Sequence, residues 1–216
     1  AWVDKNEEKS SEEVEKKKKL DSNKPFEFKA GGFINEYLFE MIYDPDHDDG
    51  PMTAYAVRSP EGNITIESEI EFDHVIYVPY PVSDSFVKDR GMLLPSGLEE
   101  YGDIATIIGL IQDFIHRYVD LPEMFEKLGA YYALMTWMSD CFSVVPYLRA
   151  LGDYGSGKTR YIEMVGNVSF RAMKTIGSSS VSSIFRTIDM FGLITLVMDE
   201  ADFDKSDATS EIINLI

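Results

Sequence analysis

The sequence predicts an α/β protein. A parallel sheet of the phosphate-loop kind, incomplete at its C-terminal end, follows a helical segment and a small antiparallel β-rich region. Three observations predict this. Gly152–Thr159 reads GDYGSGKT, a glycine, four variable residues and then Gly-Lys-Thr, which is the pattern of a phosphate-binding loop. Gly192–Glu200 (GLITLVMDE) is an unbroken apolar run tipped by two carboxylates, as expected of a strand buried on both faces. Ile64–Asp73 alternates apolar and polar residues almost strictly, which is the signature of a sheet with one wet face.

Composition bounds the rest. The chain has 216 residues, 44% of them hydrophobic, enough for one or two small domains with real cores. Its formal charge of −18, from 20 basic and 38 acidic residues, disfavours a broad passive nucleic-acid surface. DNA held in a small basic channel stays compatible with it. The single cysteine, Cys141, excludes an internal disulfide framework or a multi-cysteine zinc site and fits a reducing, cytoplasmic setting. There is no apolar signal segment at the start. The most apolar stretch, Leu128–Leu148, is interrupted by Asp140 and Pro146 and reads as a buried helix and strand rather than a membrane span.

In chain order, residues 1–24 hold seven lysines and seven acids and little to bury, so they read as a charged linker. The run Lys16–Lys19 could serve as a nucleic-acid arm, but Glu12, Glu13 and Glu15 neutralise it. With no initiator Met, the chain is expected to be a piece of something longer. Residues 25–100 form the small β-rich domain. Thr53–Arg58 and Val75–Val78 are strands, and Ser59-Pro60-Glu61-Gly62 supplies a type I turn. Ile64, Ile66, Ile70 and Phe72 should share one face, opposite Thr65, Glu67, Glu69, Glu71 and Asp73. Asp44–Gly50 (DPDHDDG) puts its glycine and its twelfth residue, Tyr55, in the wrong places for a calcium loop and reads as an acidic turn.

Residues 101–140 turn helical. Ile104, Ile107, Ile108, Ile111, Ile115 and Tyr118 recur at helical spacing behind Asp103, with His116 and Arg117 at the C-terminal end. Pro122–Met138 is a second helix whose stripe of Tyr131, Leu134, Met135 and Met138 is expected to pack in the core. His74 and His116 sit in no motif and take structural roles. Residues 141–216 then alternate strand (Phe142–Leu151), loop, helix (Arg160–Val165), strand (Ala172–Ile176), helix (Val181–Met190), strand (Leu193–Met198) and helix (Thr209–Ile216).

The chemistry expected of the loop follows from its residue types. The backbone N–H groups of Gly155, Ser156 and Gly157 would curl around phosphates, with Gly152 and Arg160 flanking them. Lys158 would set its ammonium between the β- and γ-phosphates, Thr159 its hydroxyl on Mg²⁺, and the helix starting there its positive end on the anion. In the acidic run, Asp199 would hold magnesium through a water and Glu200 would polarise the attacking water. The letters DEAD at Asp199–Asp202 are incidental, because the span from Lys158 is too short for the helicase family of that name.

These motifs, with YVDLPEMFEKLGAYYALMTWMSD, VVPYLRALGDYGSGKTR, SSSVSSIFRTIDM and LITLVMDEAD between Tyr118 and Asp202, resemble the P-loop (ASCE/AAA+-like) ATPase modules of phage- and plasmid-type DNA primase-helicase replication proteins. The resemblance covers roughly the last half of the chain. It implies ATP and Mg²⁺ as ligands, hydrolysis coupled to work on DNA, and a ring of subunits. It also implies two further strands bearing a sensor residue and an arginine finger, which would lie beyond Ile216. Gly177–Ser183 (GSSSVSS) falls where related ring ATPases face a central channel, with Lys174 or Arg186 to add charge. The alternative there is a helix-capping loop with Ser180 or Ser182 as the cap. Three functions stay open at this stage: a DNA-directed motor, a regulatory nucleotide switch in signalling or defence against mobile DNA, and a nucleotide-binding interaction domain without turnover.

Overall fold

The structure, a computed structural model, describes residues 24–89, 91–174 and 181–198. The charged linker up to position 23, most of the serine-rich loop and the helix expected over Thr209–Ile216 lie outside them.

Seven strands open the chain: β1 (Phe26–Phe28), β2 (Gly31–Ile34), β3 (Tyr37–Asp44), β4 (Met52–Arg58), β5 (Ile64–Glu67), β6 (Ile70–Phe72) and β7 (Val75–Val78). Strands β2-β3-β4-β5 form an antiparallel sheet, and β1-β7-β6 form a second with β1 parallel to β7. Two tight hairpins set the register. Asn35-Glu36 (φ 49° and 68°) joins β2 to β3, and Asp73-His74 (φ 50° and 67°) joins β6 to β7. Paired left-handed residues match the strand twist, and short Asn and Asp side chains tolerate them. The expected turn closes through Gly62 N–H to the Ser59 carbonyl at 2.9 Å.

The alternation from Ile64 to Asp73 does not run as one strand. It breaks at Ser68–Glu69, so β5 ends one sheet and β6 begins the other. Ile70 and Phe72 pack on the core, whereas Ile64 and Ile66 are 57% and 49% exposed. A period of two states which residues share a face; it does not state which layer covers that face.

The β-rich half is built on Ala30, Phe39, Met41, Tyr55, Val57, Tyr80, Val87 and Met92. Val87 comes from a short helix α1 (Ser85–Lys88), whose Asp84 cap accepts from Phe86 N–H at 2.9 Å. The helical half follows. Asp103 Oδ1 accepts from Thr106 N–H at 2.7 Å and starts α2 (Ile104–Tyr118); Pro122 starts α3 (Glu123–Thr136). A 3₁₀ turn (Ser139–Cys141) precedes the glycine loop and α4 (Lys158–Asn167). Ile111, Ile115, Val119, Ala130, Ala133, Tyr161, Met164 and Val165 form this second core.

The expected core stripe of α3 is therefore corrected. Leu134 packs on the second core as expected, but Tyr131 and Met138 are each 50% exposed, and the buried face is Gly129, Ala130, Ala133 and Thr136 with Glu126. The helices approach too closely for large residues: a Cβ on Gly129 would lie 2.9 Å from Val165 Cγ2 and 3.0 Å from Ile115 Cδ1.

Strands β8 (Ala172–Lys174) and β9 (Thr195–Val197) pair in parallel, joined through α5 (Val181–Phe191). The strand expected over Phe142–Leu151 is absent: that segment has no strand pairing among the described residues, and Val144 and Leu151 are 80% and 73% exposed. Pro146 has no N–H to offer a ladder, and β8 and β9 pair with each other. Leu148 and Ala150 still turn inward onto the helical core. The architecture is mixed α/β, its sheets small and mostly antiparallel.

The halves interlock. Leu93 N–H bonds the Ala172 carbonyl at 2.8 Å, Met92 bridges Met173, and Tyr80 Oη donates to the Met190 carbonyl at 2.9 Å. Phe191 at the end of α5 completes the core of the β-rich half.

Candidate phosphate-loop site

The loop before α4 takes its shape from glycine. Gly155 and Gly157 have φ of 77° and 84°, the left-handed region that a side chain resists. A Cβ on Gly152 would come within 2.9 Å of Ser156 Oγ. Ser156 N–H closes a turn onto the Asp153 carbonyl at 3.2 Å. Gly157 is the N-cap of α4 and no side chain caps that end, so the positive pole of the helix faces the loop. The loop is exposed throughout Gly152–Ser156, with Tyr154 wholly in solvent.

Lys158 folds back over the loop. Its Nζ donates to the Gly152 and Asp153 carbonyls, both at 2.7 Å, which holds the ammonium at the mouth of the turn. Thr159 is exposed on the first turn of α4. Arg160 turns toward α2, its guanidinium 5.7 Å from the Tyr118 ring centroid and 3.9 Å from Glu163. Asp199 and Glu200 lie outside the described residues, just past Met198. So do most of the serines of Gly177–Ser183; Lys174, Ser182 and Arg186, at the edges of that segment, are exposed.

The helix carrying the loop is anchored on both sides. Tyr161 Oη donates to the Phe125 carbonyl of α3 at 2.7 Å, and burial pushes its phenol up. On the other side, a Cβ on Gly166 would lie 2.6 Å from Val197 Cγ2, so α4 rests directly on β9. The residues before Asp199 are thus packed against the helix that follows the loop.

A glycine turn, an uncapped helix N-terminus and the Lys158 ammonium thus lie together before α4. Among the described residues no cluster of three His, Cys, Asp or Glu side chains could hold a metal ion. Thr159 is the one residue expected at the metal that is described. The DPDHDDG segment forms a turn instead, with Asp46 N–H on Asp44 Oδ1 at 3.0 Å and Gly50 N–H on the His47 carbonyl at 2.9 Å.

Two groups away from the loop hold elements together, His116 in the structural role expected of it and Arg171 in one that sequence did not assign. Arg171, only 6% exposed and at φ 42°, forks onto Glu40 of β3 through Nε at 2.7 Å and Nη2 at 2.6 Å. Its Nη1 donates to the Phe191 carbonyl, and its guanidinium lies 4.7 Å from the Phe170 ring centroid. Burial pushes the Glu40 carboxyl up against the pull of this guanidinium. His116 Nδ1 meets Glu126 Oε1 at 2.7 Å, which raises the imidazole pKa and ties α2 to α3. An open cleft of about 430 Å³ beside this pair is walled by Asp113, Glu123 and Glu126, an acidic lining unsuited to a triphosphate.

No family model, curated protein or solved structure matches the chain.

Proposed function

We propose that the chain is an ATP-binding and ATP-hydrolysing motor domain acting on DNA, of the helicase or primase-associated kind, and that it works as an oligomeric ring in the cytoplasm. One observation carries the reading. The GDYGSGKT loop is a solvent-open turn with two left-handed glycines at the start of a ten-residue helix, and its lysine sits at the mouth of the turn. The parallel pair β8-β9, packed on that helix through Gly166 and Val197, supports it as a strand–helix–strand unit beside the loop.

In this reading the N–H groups of Gly155, Ser156 and Gly157 orient the triphosphate, Ser156 exchanging the Asp153 carbonyl for a phosphate oxygen, with Gly152 shaping the turn and Arg160 at its flank. Lys158 exchanges its loop carbonyls for phosphate oxygens, a swap of neutral acceptors for charged ones that favours the bound state. Thr159 and Asp199 hold Mg²⁺, which when bound neutralises charge developing on the phosphates. Glu200 takes the proton of the attacking water.

Titration with a fluorescent ATP analogue tests the loop. Lys158→Ala should weaken binding by about tenfold or more, the worth of one charge-assisted contact; unchanged affinity would remove the assignment. Glu200→Gln should bind normally and trap unhydrolysed ATP. Stimulation of turnover by single-stranded or duplex DNA is expected of a motor. Turnover indifferent to DNA would favour the second reading, a regulatory switch, for which the interlock between α5 and the β-rich half offers a route from nucleotide to partner. Binding with no turnover at all would leave an interaction domain.

A further inference from the structure

The outer face of the β2-β3-β4-β5 sheet is only half covered. Its register places Phe33, Leu38, Arg58 and Ile64 in one cross-strand row, and Gly31, Glu40, Ala56 and Ile66 in the next. At one end of the face, Glu40 is closed off by Arg171, and the neighbouring Ile42 and Ala54 are 6% and 1% exposed. At the other end Phe33 is 69% exposed, Leu38 50%, Ile64 57% and Ile66 49%. Isolated exposed apolar residues are ordinary; here Phe33 and Leu38 form one cross-strand pair and Ile64 and Ile66 a second along the edge strand, with Arg58 and Ala56 of β4 between the two pairs.

The patch runs to a free edge. Among the described residues β5 pairs with β4 alone. Ser59 N–H bonds the Asn63 carbonyl at 2.8 Å, which sets the ladder alternation so that Thr65 and Glu67 bond inward to β4. The N–H and C=O groups of Ile64 and Ile66 therefore point out of the sheet. Charge decides what can pair there. Around β5 the acids Glu61, Glu67, Glu69, Glu71 and Asp73 outnumber one neighbouring cation, Arg58 opposite Ile64, and Lys24 satisfies Glu71 at 2.7 Å. A second copy laid edge to edge would set these acids against one another, which opposes self-pairing.

We infer that β5 is a strand-addition site for a partner protein presenting an extended segment of alternating apolar and basic residues. The added strand bonds to the main chain of Ile64 and Ile66. Its apolar side chains continue the Ile64–Ile66 side of the edge, and its basic ones fall beside Glu67. The site is remote in sequence from the phosphate loop and stands or falls independently of nucleotide binding.

The test is fluorescence anisotropy of the full chain with a labelled ten-residue peptide alternating valine and lysine. Its controls are a valine–glutamate peptide and a valine–lysine peptide N-methylated on the edge-facing amides. The valine–lysine peptide should bind at least about tenfold tighter than either control. Binding should weaken as salt rises and should slow amide exchange at Ile64 and Ile66. Ile66→Lys, at an exposed position, should lower affinity about tenfold without moving the melting temperature. Equal binding of the acidic peptide, no binding at all, or affinity unchanged by Ile66→Lys overturns the inference. So does a concentration-dependent dimer that Ile66→Lys dissolves, because the occupant would then be a second copy.

Discussion

Arg171 concentrates more structural consequence than any motif residue. It reaches Glu40, 131 positions away, and the Phe191 carbonyl, so one side chain joins β3, the lead into β8 and the end of α5. Replacing it with leucine leaves Glu40 facing a buried surface without its cation. That should cost about 3–5 kcal/mol, measured by urea denaturation. A double-mutant cycle with Glu40→Gln should show strong coupling, since the two are in direct contact. Gly166 makes a second residue-scale test. A methyl group there meets Val197 Cγ2 at 2.6 Å, so Gly166→Ala should destabilise by about 1–3 kcal/mol, and Val197→Ala in the same chain should recover part of the loss. Neither role was legible beforehand. Arg171 carries no pattern around it, and Gly166 is only the residue after the expected helix Arg160–Val165 until the strand beneath it is in place.

At the scale of elements, local chemistry was informative wherever it was self-sufficient. Asp103 caps α2 and Gly62 closes its turn because each needs only residues three or four positions away. The glycines of the phosphate loop belong here too: the motif asks for residues without side chains, and Gly155 and Gly157 take left-handed φ. The α2–α3 pair adds a pH dependence. The hydrogen bond and charge of Glu126, with Asp120 and Asp113 adding to it, raise the His116 pKa above the unfolded value of 6.5. A raised base stabilises fully below the unfolded value and loses that contribution as pH climbs through the folded one. Thermal stability should thus fall as pH climbs above 6.5 and through the raised folded-state value, and His116→Asn should flatten that slope. An unaltered slope in the variant would assign the dependence elsewhere. The run Phe142–Leu151 marks the limit of local reading, since an apolar run becomes a strand only when a neighbour accepts its hydrogen bonds.

For the whole molecule, the decisive feature is that two cores divide the chain in a way sequence order does not. One gathers the β-rich half and reaches across to Phe191; the other gathers α2, α3 and α4. The β8-β9 pair lies between them, bonded to Leu93 on one side and packed on Gly166 at the other. A fragment spanning 101–198 would therefore expose Met173 and Phe191, and a fragment spanning 25–100 would lose the lid over Tyr80. Both fragments should melt with lower cooperativity than the intact chain by calorimetry. Sharp, independent transitions for each would show that the interlock contributes little.

The sequence by itself determined the loop, its glycine conformations, the capped helices and most strand positions, because short-range sterics and hydrogen bonding decide these within a few residues. Only the tertiary structure decided which apolar faces find cover: Ile70 inside and Ile66 outside, small residues rather than Tyr131 between helices, and Arg171 locked on Glu40. Burial is a property of what arrives from elsewhere in the chain, and a periodic pattern carries no record of its partner.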